Sequence, residues 1–158
     1  MKIKFLALIL VLFAFACKEK TVEVTKSNSE YLTGSSSKKW KLKDGTAKQG
    51  NITLNLIDAQ SSCIIDNEIE LFSNFQYEFT EGATKCAPQD PQVILKAQWQ
   101  LSEDQKFITI DRFIFLGISV DKPVFEITQI NDDTFSGKSN ITVSGQNADI
   151  EVIFENVK

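Results

Sequence analysis

The residues Phe75-Gln76-Tyr77-Glu78-Phe79-Thr80 alternate aromatic and polar side chains without a break. Successive side chains of an extended chain point to opposite faces, so this period of two describes a strand with one buried and one wet face. The same rhythm returns in Lys39-Trp40-Lys41-Leu42, which runs into Asp44-Gly45, a hairpin signal. It returns again in Ala97-Gln98-Trp99-Gln100-Leu101, Phe107–Ile110, Val124–Ile130 and Ile150–Phe154, with a further strand starting at Phe135. Polar turn clusters separate these runs: Ser102-Glu103-Asp104, Asn131-Asp132-Asp133 and Ser144-Gly145-Gln146-Asn147. A 3.6-residue apolar pattern is lacking over any long stretch; a turn or two of helix near Leu56–Ser62 is the modest exception. About eight short strands at regular spacing predict an all-β antiparallel sandwich or barrel. The barrel is preferred because closure removes both sheet edges. Twelve phenylalanines supply bulky inward side chains.

The start of the chain has a different logic. Lys2 and Lys4 precede an apolar run from Phe5 to Ala16, which ends in Ala14-Phe15-Ala16-Cys17 before the polar Lys18-Glu19-Lys20. A basic start, a short apolar middle and a small residue before the cut form a secretory signal. Twelve residues are too few to span a bilayer, which takes about 20. A cysteine directly after the small residue resembles the bacterial lipoprotein signal, with Ala14 where such signals usually carry leucine. That resemblance implies cleavage before Cys17 and acylation of its thiol, hence a membrane anchor in the cell envelope. Lys18 after the cysteine implies sorting to the outer membrane. The expected division is a signal peptide over 1–16, a lipidated N-terminus and flexible tether over 17–37, and a β-barrel domain over 38–158. The tether assignment follows from its serine-rich polar composition, with Thr21-Val22-Glu23-Val24 and Tyr31-Leu32 short exceptions able to dock.

With Cys17 committed to lipid, Cys63 and Cys86 remain, an even pair in an exported chain that reads as a disulfide. The loop it closes is about 24 residues, worth about 3 kcal/mol in the chain-entropy description. Zinc would need clustered Cys and His ligands, and the sequence has no histidine. That absence also removes Ser-His-Asp and Cys-His catalysis, so no enzyme and no cofactor is expected. The carboxylate pairs Asp132-Asp133 and Glu103-Asp104 sit at turns, and Asp66, Glu68 and Glu70 read as a solvated strand face. Asn51-Ile52-Thr53 and Asn140-Ile141-Thr142 are chance glycosylation patterns in a bacterial lipoprotein. Removing residues 1–16 takes Lys2 and Lys4 from the 17 basic residues and leaves all 21 acidic ones, a net charge near −6. A nucleic-acid partner, which needs a basic patch, is not expected.

The segment Cys63-Ile64-Ile65-Asp66-Asn67, the aromatic strand ending at Phe79, and Glu81-Gly82-Ala83-Thr84-Lys85-Cys86 together resemble the lipocalin-like lipoproteins of Bacteroidota. So does Ala97-Gln98-Trp99-Gln100-Leu101 with the acidic turn and the strand after it. The resemblance runs from about Lys38 onward and is most specific over Cys63–Leu101. It implies an eight-stranded lipocalin-like barrel, pairing of Cys63 with Cys86 across one hairpin, and a structural role for Asp66; it implies no firm activity.

Two functions compete. One is a carrier holding a small apolar or amphipathic molecule in the open end of the barrel, near Trp40, Phe75, Tyr77, Phe79, Trp99 and Phe125. The other is an interaction or structural envelope lipoprotein, or an inhibitor, with a filled barrel and an envelope protein or host enzyme as partner. A carrier needs a mostly apolar cavity of roughly 300 Å³ or more with a few polar groups inside. A filled barrel leaves only small voids.

Overall fold

The computed structural model describes residues 26–115, 117–143 and 145–158; the expected signal peptide, Cys17 and Thr21–Val24 lie outside them. The chain folds as a short helix α1 (Asn28–Thr33), strands β1 (Ser37–Gln49) and β2 (Ile52–Asn55), a helical turn α2 (Ser62–Ile65), and then strands only. These are β3 (Glu68–Phe72), β4 (Gln76–Thr80), β5 (Val93–Leu101), β6 (Phe107–Ile110), β7 (Arg112–Phe115), β8 (Ile118–Asp121), β9 (Val124–Ile130), β10 (Thr134–Val143) and β11 (Gln146–Asn156). Among the described residues, β1, β3, β4, β5, β6, β9, β10 and β11 pair antiparallel in that order, and β11 returns to β1. The seam runs from Trp40 opposite Asn156 to Lys48 opposite Asp149. This is the expected all-β, eight-stranded antiparallel barrel, with the up-and-down order of lipocalins. β2 and the β7–β8 hairpin stand outside the ring.

One end of the barrel is plugged. There β1 begins opposite the end of β3, Ser37 against Phe72, and β10 begins opposite the end of β9, Phe135 against Ile130. α1 lies across this end. Six residues are too few for a helix to stand alone, and a reciprocal cap holds it: Ser27 Oγ accepts from the Glu30 amide, and Glu30 Oε2 accepts from the Ser27 amide at 2.7 Å. Leu32 is fully buried, and the Trp40 indole donates to its carbonyl at 2.9 Å. The docking that Tyr31-Leu32 left open is therefore made, and the ordered body starts ahead of residue 38.

Asp44-Gly45 does not turn the chain. β1 runs straight through it with a bulge between Leu42 and Asp44, and the turn comes at Gly50-Asn51. Glycine serves packing there instead of a turn. A Cβ on Gly45 would stand 2.8 Å from the Glu151 carbonyl oxygen and 2.9 Å from Leu56 Cδ1, so glycine is required by close approach within the wall. The helix expected near Leu56–Ser62 appears as turns there, with the helical turn itself displaced to Ser62–Ile65.

The middle of the barrel is filled by rings. Phe135 lies edge-on to Trp40 at 4.9 Å and stacks on Phe154 at 4.7 Å, while Phe113 meets Phe125 at 5.7 Å. The void left among Leu71, Ile108, Phe125 and Phe135 is about 20 Å³.

Candidate functional site

The opposite end of the barrel is built differently. β3 begins there and β4 ends there, Glu68 opposite Thr80, and α2 leans over the rim. Cys63 in α2 is bonded to Cys86 in the β4–β5 connection, with Cα atoms 5.2 Å apart. The disulfide thus fastens the helical turn to the connection across from it. Asp66 reinforces the link, its Oδ2 accepting from both the amide and the hydroxyl of Thr84 at 2.8 Å. Gly82 lies so close that a Cβ would fall 1.8 Å from the Asp66 carbonyl oxygen. Asp66 caps α2 rather than sharing a strand face with Glu68 and Glu70. Glu68 pairs with Lys39 at 2.9 Å, and Glu70 accepts from the Ser37 hydroxyl at 2.6 Å. Among the described residues no group of three or more His, Cys, Asp or Glu side chains is placed to hold a metal ion.

Beneath α2 lies a cavity of about 180 Å³. The barrel wall contributes Leu42, Ile69, Phe79, Ile94, Val152 and Phe154. Ile64 of α2 covers it from one side, and Phe113 and Ile114 of β7 from another. Its two polar side chains are Gln60 and Asn67, and none of its lining residues is charged. The Gln60 amide donates to the Leu56 carbonyl at 2.9 Å. Asn67, in its hydrogen-bonded orientation, donates to the Cys63 carbonyl and to Glu81 Oε2, each at 3.1 Å. Glu81 is only 7% exposed, the end of β4 being sealed by reciprocal bonds with Gln92. Burial pushes its carboxyl above the usual carboxylate range, and the negative charges of Asp90 and Asp66 push it further.

Of the six aromatic residues expected around a cavity, Phe79 lines this one. Trp40, Tyr77 and Trp99 are buried in packed core, and Phe125 borders the small central void. The Trp99 indole donates to the Phe72 carbonyl at 3.1 Å, beside the plugged end. Phe75 is half exposed: its φ of 65° takes it out of the strand alternation, and its ring rests against Trp99 at 5.2 Å. The rings pack closely in the middle of the barrel, and the cavity lies nearer the α2 end, where Leu42, Ile69, Ile94 and Val152 join Phe79, Phe113 and Phe154 in the lining. Ile94, Val152, Gln60 and Asn67 are lining residues that sequence reasoning missed.

No protein-family model and no curated protein matches the chain. Among solved structures it is similar to a bovine odorant binding protein in complex with a selenium-containing odorant, at 13% identity and a TM-score of 0.48, over 86% of this chain and 76% of that one.

Proposed function

We propose that this protein is a lipid-anchored lipoprotein of the cell envelope whose barrel holds a small apolar or amphipathic molecule at one end. The observation that carries the reading is the apolar cavity of about 180 Å³ beneath the disulfide-fastened turn. It falls below the roughly 300 Å³ expected of a carrier, which limits the reading to a molecule smaller than a drug-sized ligand. Acylation of Cys17 supplies the anchor and the outer membrane the location. The role is non-catalytic, in keeping with a sequence that has no histidine. Tethering raises the local concentration of binding sites at the membrane.

A second reading, an interaction or structural lipoprotein, is favoured by the ring-filled middle of the barrel with its void of about 20 Å³. Native mass spectrometry of the protein purified from its own envelope extract separates the two. A copurifying small molecule supports the carrier; a bare protein that also takes up no neutral apolar probe moves the reading to the interaction protein. Cys17→Ser tests the anchor: the variant is expected to leave the membrane fraction, and unchanged retention refutes the lipid.

A further inference from the structure

The chain enters the folded body at the plugged end and is fastened there on two sides. Lys26 pairs with Asp132 of the β9–β10 turn at 2.6 Å. Asn28 Nδ2 donates to the Gln105 carbonyl in the β5–β6 turn at 2.8 Å, and the Ser29 amide donates to Gln105 Oε1 at 3.2 Å. Eight residues, 18–25, separate Cys17 from Lys26. A chain covers at most about 3.5 Å per residue, so they reach about 30 Å. β1 alone is 13 residues long. At about 3.3 Å per residue and a barrel tilt of about 40°, it rises about 30 Å along the axis. A lipid on Cys17 therefore keeps the plugged end near the bilayer. Bringing the cavity end down instead would take the whole connection, drawn straight along the barrel wall.

The plugged end also carries a side chain suited to a lipid surface. Phe75 follows the β3–β4 turn, where the Ser73 amide donates to the Ser36 carbonyl, and it is half exposed at a φ of 65°. A bulky residue is rarely held at positive φ, which glycine adopts without strain. Strain kept at an exposed apolar residue points to a use for the ring. Three acids at this end are each paired with a lysine: Asp132 with Lys26, Asp133 with Lys158 at 3.1 Å and Asp104 with Lys106 at 3.9 Å. That pairing blunts their repulsion of anionic headgroups.

We propose that the plugged end is a docking face for the lipid surface, with Phe75 in the interface, and that the cavity end points away from the membrane. This rests on the anchor in the reading above and adds an orientation to it. One aromatic ring adds little affinity of its own, but beside an acyl anchor it fixes which face lies down. Any molecule beneath α2 is then exchanged on the side away from the bilayer.

The test uses the protein purified from its own envelope and reconstituted into vesicles of phosphatidylethanolamine and phosphatidylglycerol. Ser73→Cys at the plugged end and Asn51→Cys in the β1–β2 turn at the cavity end each carry a donor dye. A rhodamine headgroup lipid is the acceptor. Energy transfer is expected to be severalfold stronger from position 73 than from position 51. Equal or reversed transfer in protein that floats with the vesicles overturns the orientation and leaves the anchor standing. Protein that does not float brings down the anchor, and the orientation falls with it. Phe75→Trp then probes the contact. Lipids brominated near the headgroup are expected to quench this variant beyond the wild-type level set by the buried Trp40 and Trp99. A folded Phe75→Trp variant without added quenching overturns the docking face. If that variant does not fold, quenching of the Ser73→Cys label by the same lipids decides the contact.

Discussion

The ammonium of Lys38 lies 4.6 Å from the centre of the Trp40 ring. The two side chains share the inner face of β1, and Lys38 Nζ donates to the Asp132 carbonyl at 2.7 Å and to the Tyr31 carbonyl at 3.1 Å. Trp40 donates to Leu32 from below. Two neighbouring residues of one strand therefore hold the β9–β10 turn and α1 onto the plugged end. Lys38→Met keeps the aliphatic stem over the ring but removes both donations, and is expected to cost about 1–2 kcal/mol in chemical denaturation. Trp40→Phe, which also leaves the Leu32 carbonyl without its donor, is expected to cost about 3 kcal/mol.

Reduction should loosen the cavity end while the ring of strands persists. The Cys63–Cys86 bond closes a loop with a sequence separation of 23, and neither cysteine lies in one of the eight ring strands. Cys63→Ala with Cys86→Ala is expected to lower unfolding free energy by about 3 kcal/mol, with the far-ultraviolet circular dichroism of a β protein retained. A loss of that spectrum would show the disulfide to be needed for the ring itself.

Gly82→Ala is predicted to be more damaging than its size suggests. The new methyl would meet the Asp66 carbonyl oxygen, which belongs to backbone and cannot swing aside. About 3 kcal/mol of destabilisation is expected by denaturant titration. The comparison is Gly50→Ala, where the added Cβ meets no atom within 4 Å and the cost comes from the positive φ of 57° alone, about 1 kcal/mol.

Ile94→Phe fills the cavity from the β5 wall, a site that is half-buried rather than sealed. Binding of N-phenyl-1-naphthylamine, a neutral apolar reporter, should fall more than tenfold, with stability changed by no more than about 1 kcal/mol. Normal reporter binding in the folded variant would place the molecule elsewhere.

The buried Glu81 carboxyl has its affinity for protons raised by folding. The folded state then holds the proton more tightly than the unfolded one, so this group opposes folding at neutral pH. The opposition fades as pH falls through its raised pKa toward the ordinary value near 4.5. Glu81→Gln removes the charge, so its stability relative to wild type is expected to be highest at pH 7.5 and to decline toward pH 5. Denaturation of both proteins across that range measures the slope, and a slope of opposite sign refutes the assignment.

β6 and β9 match their apolar runs residue for residue, and β4 differs by one, because a strand with one wet face writes its alternation directly into sequence. β2 carries no such record: all four residues are exposed, and Ile52 is 71% exposed. The β7–β8 hairpin also stands outside the ring, and it lacks the alternation for another reason: the adjacent Phe113 and Ile114 both line the cavity. α1 was hidden by its polar composition, although Ser27-Asn28-Ser29-Glu30 has the spacing of a reciprocal cap. The cavity was the least legible part. It is lined by residues from β1, β3, β4, β5, β7, β11 and the α2 turn, so its wall joins positions as far apart in sequence as Leu42 and Phe154.

The seam between β1 and β11 sets a clock on folding. A chain that emerges N-terminus first, from a ribosome or a translocation pore, displays β1 long before its partner exists. Until residues 149–156 are free, the β1 edge that Trp40–Lys48 will share with β11 stands open. Every earlier pairing builds a curved sheet with two bare margins, and such margins invite pairing with other chains. The closing contacts also span most of the folded body, an arrangement that slows barrel formation relative to local hairpins. A chaperone that shields β1 would be most useful in that interval, and it loses its purchase once the last strand zips home.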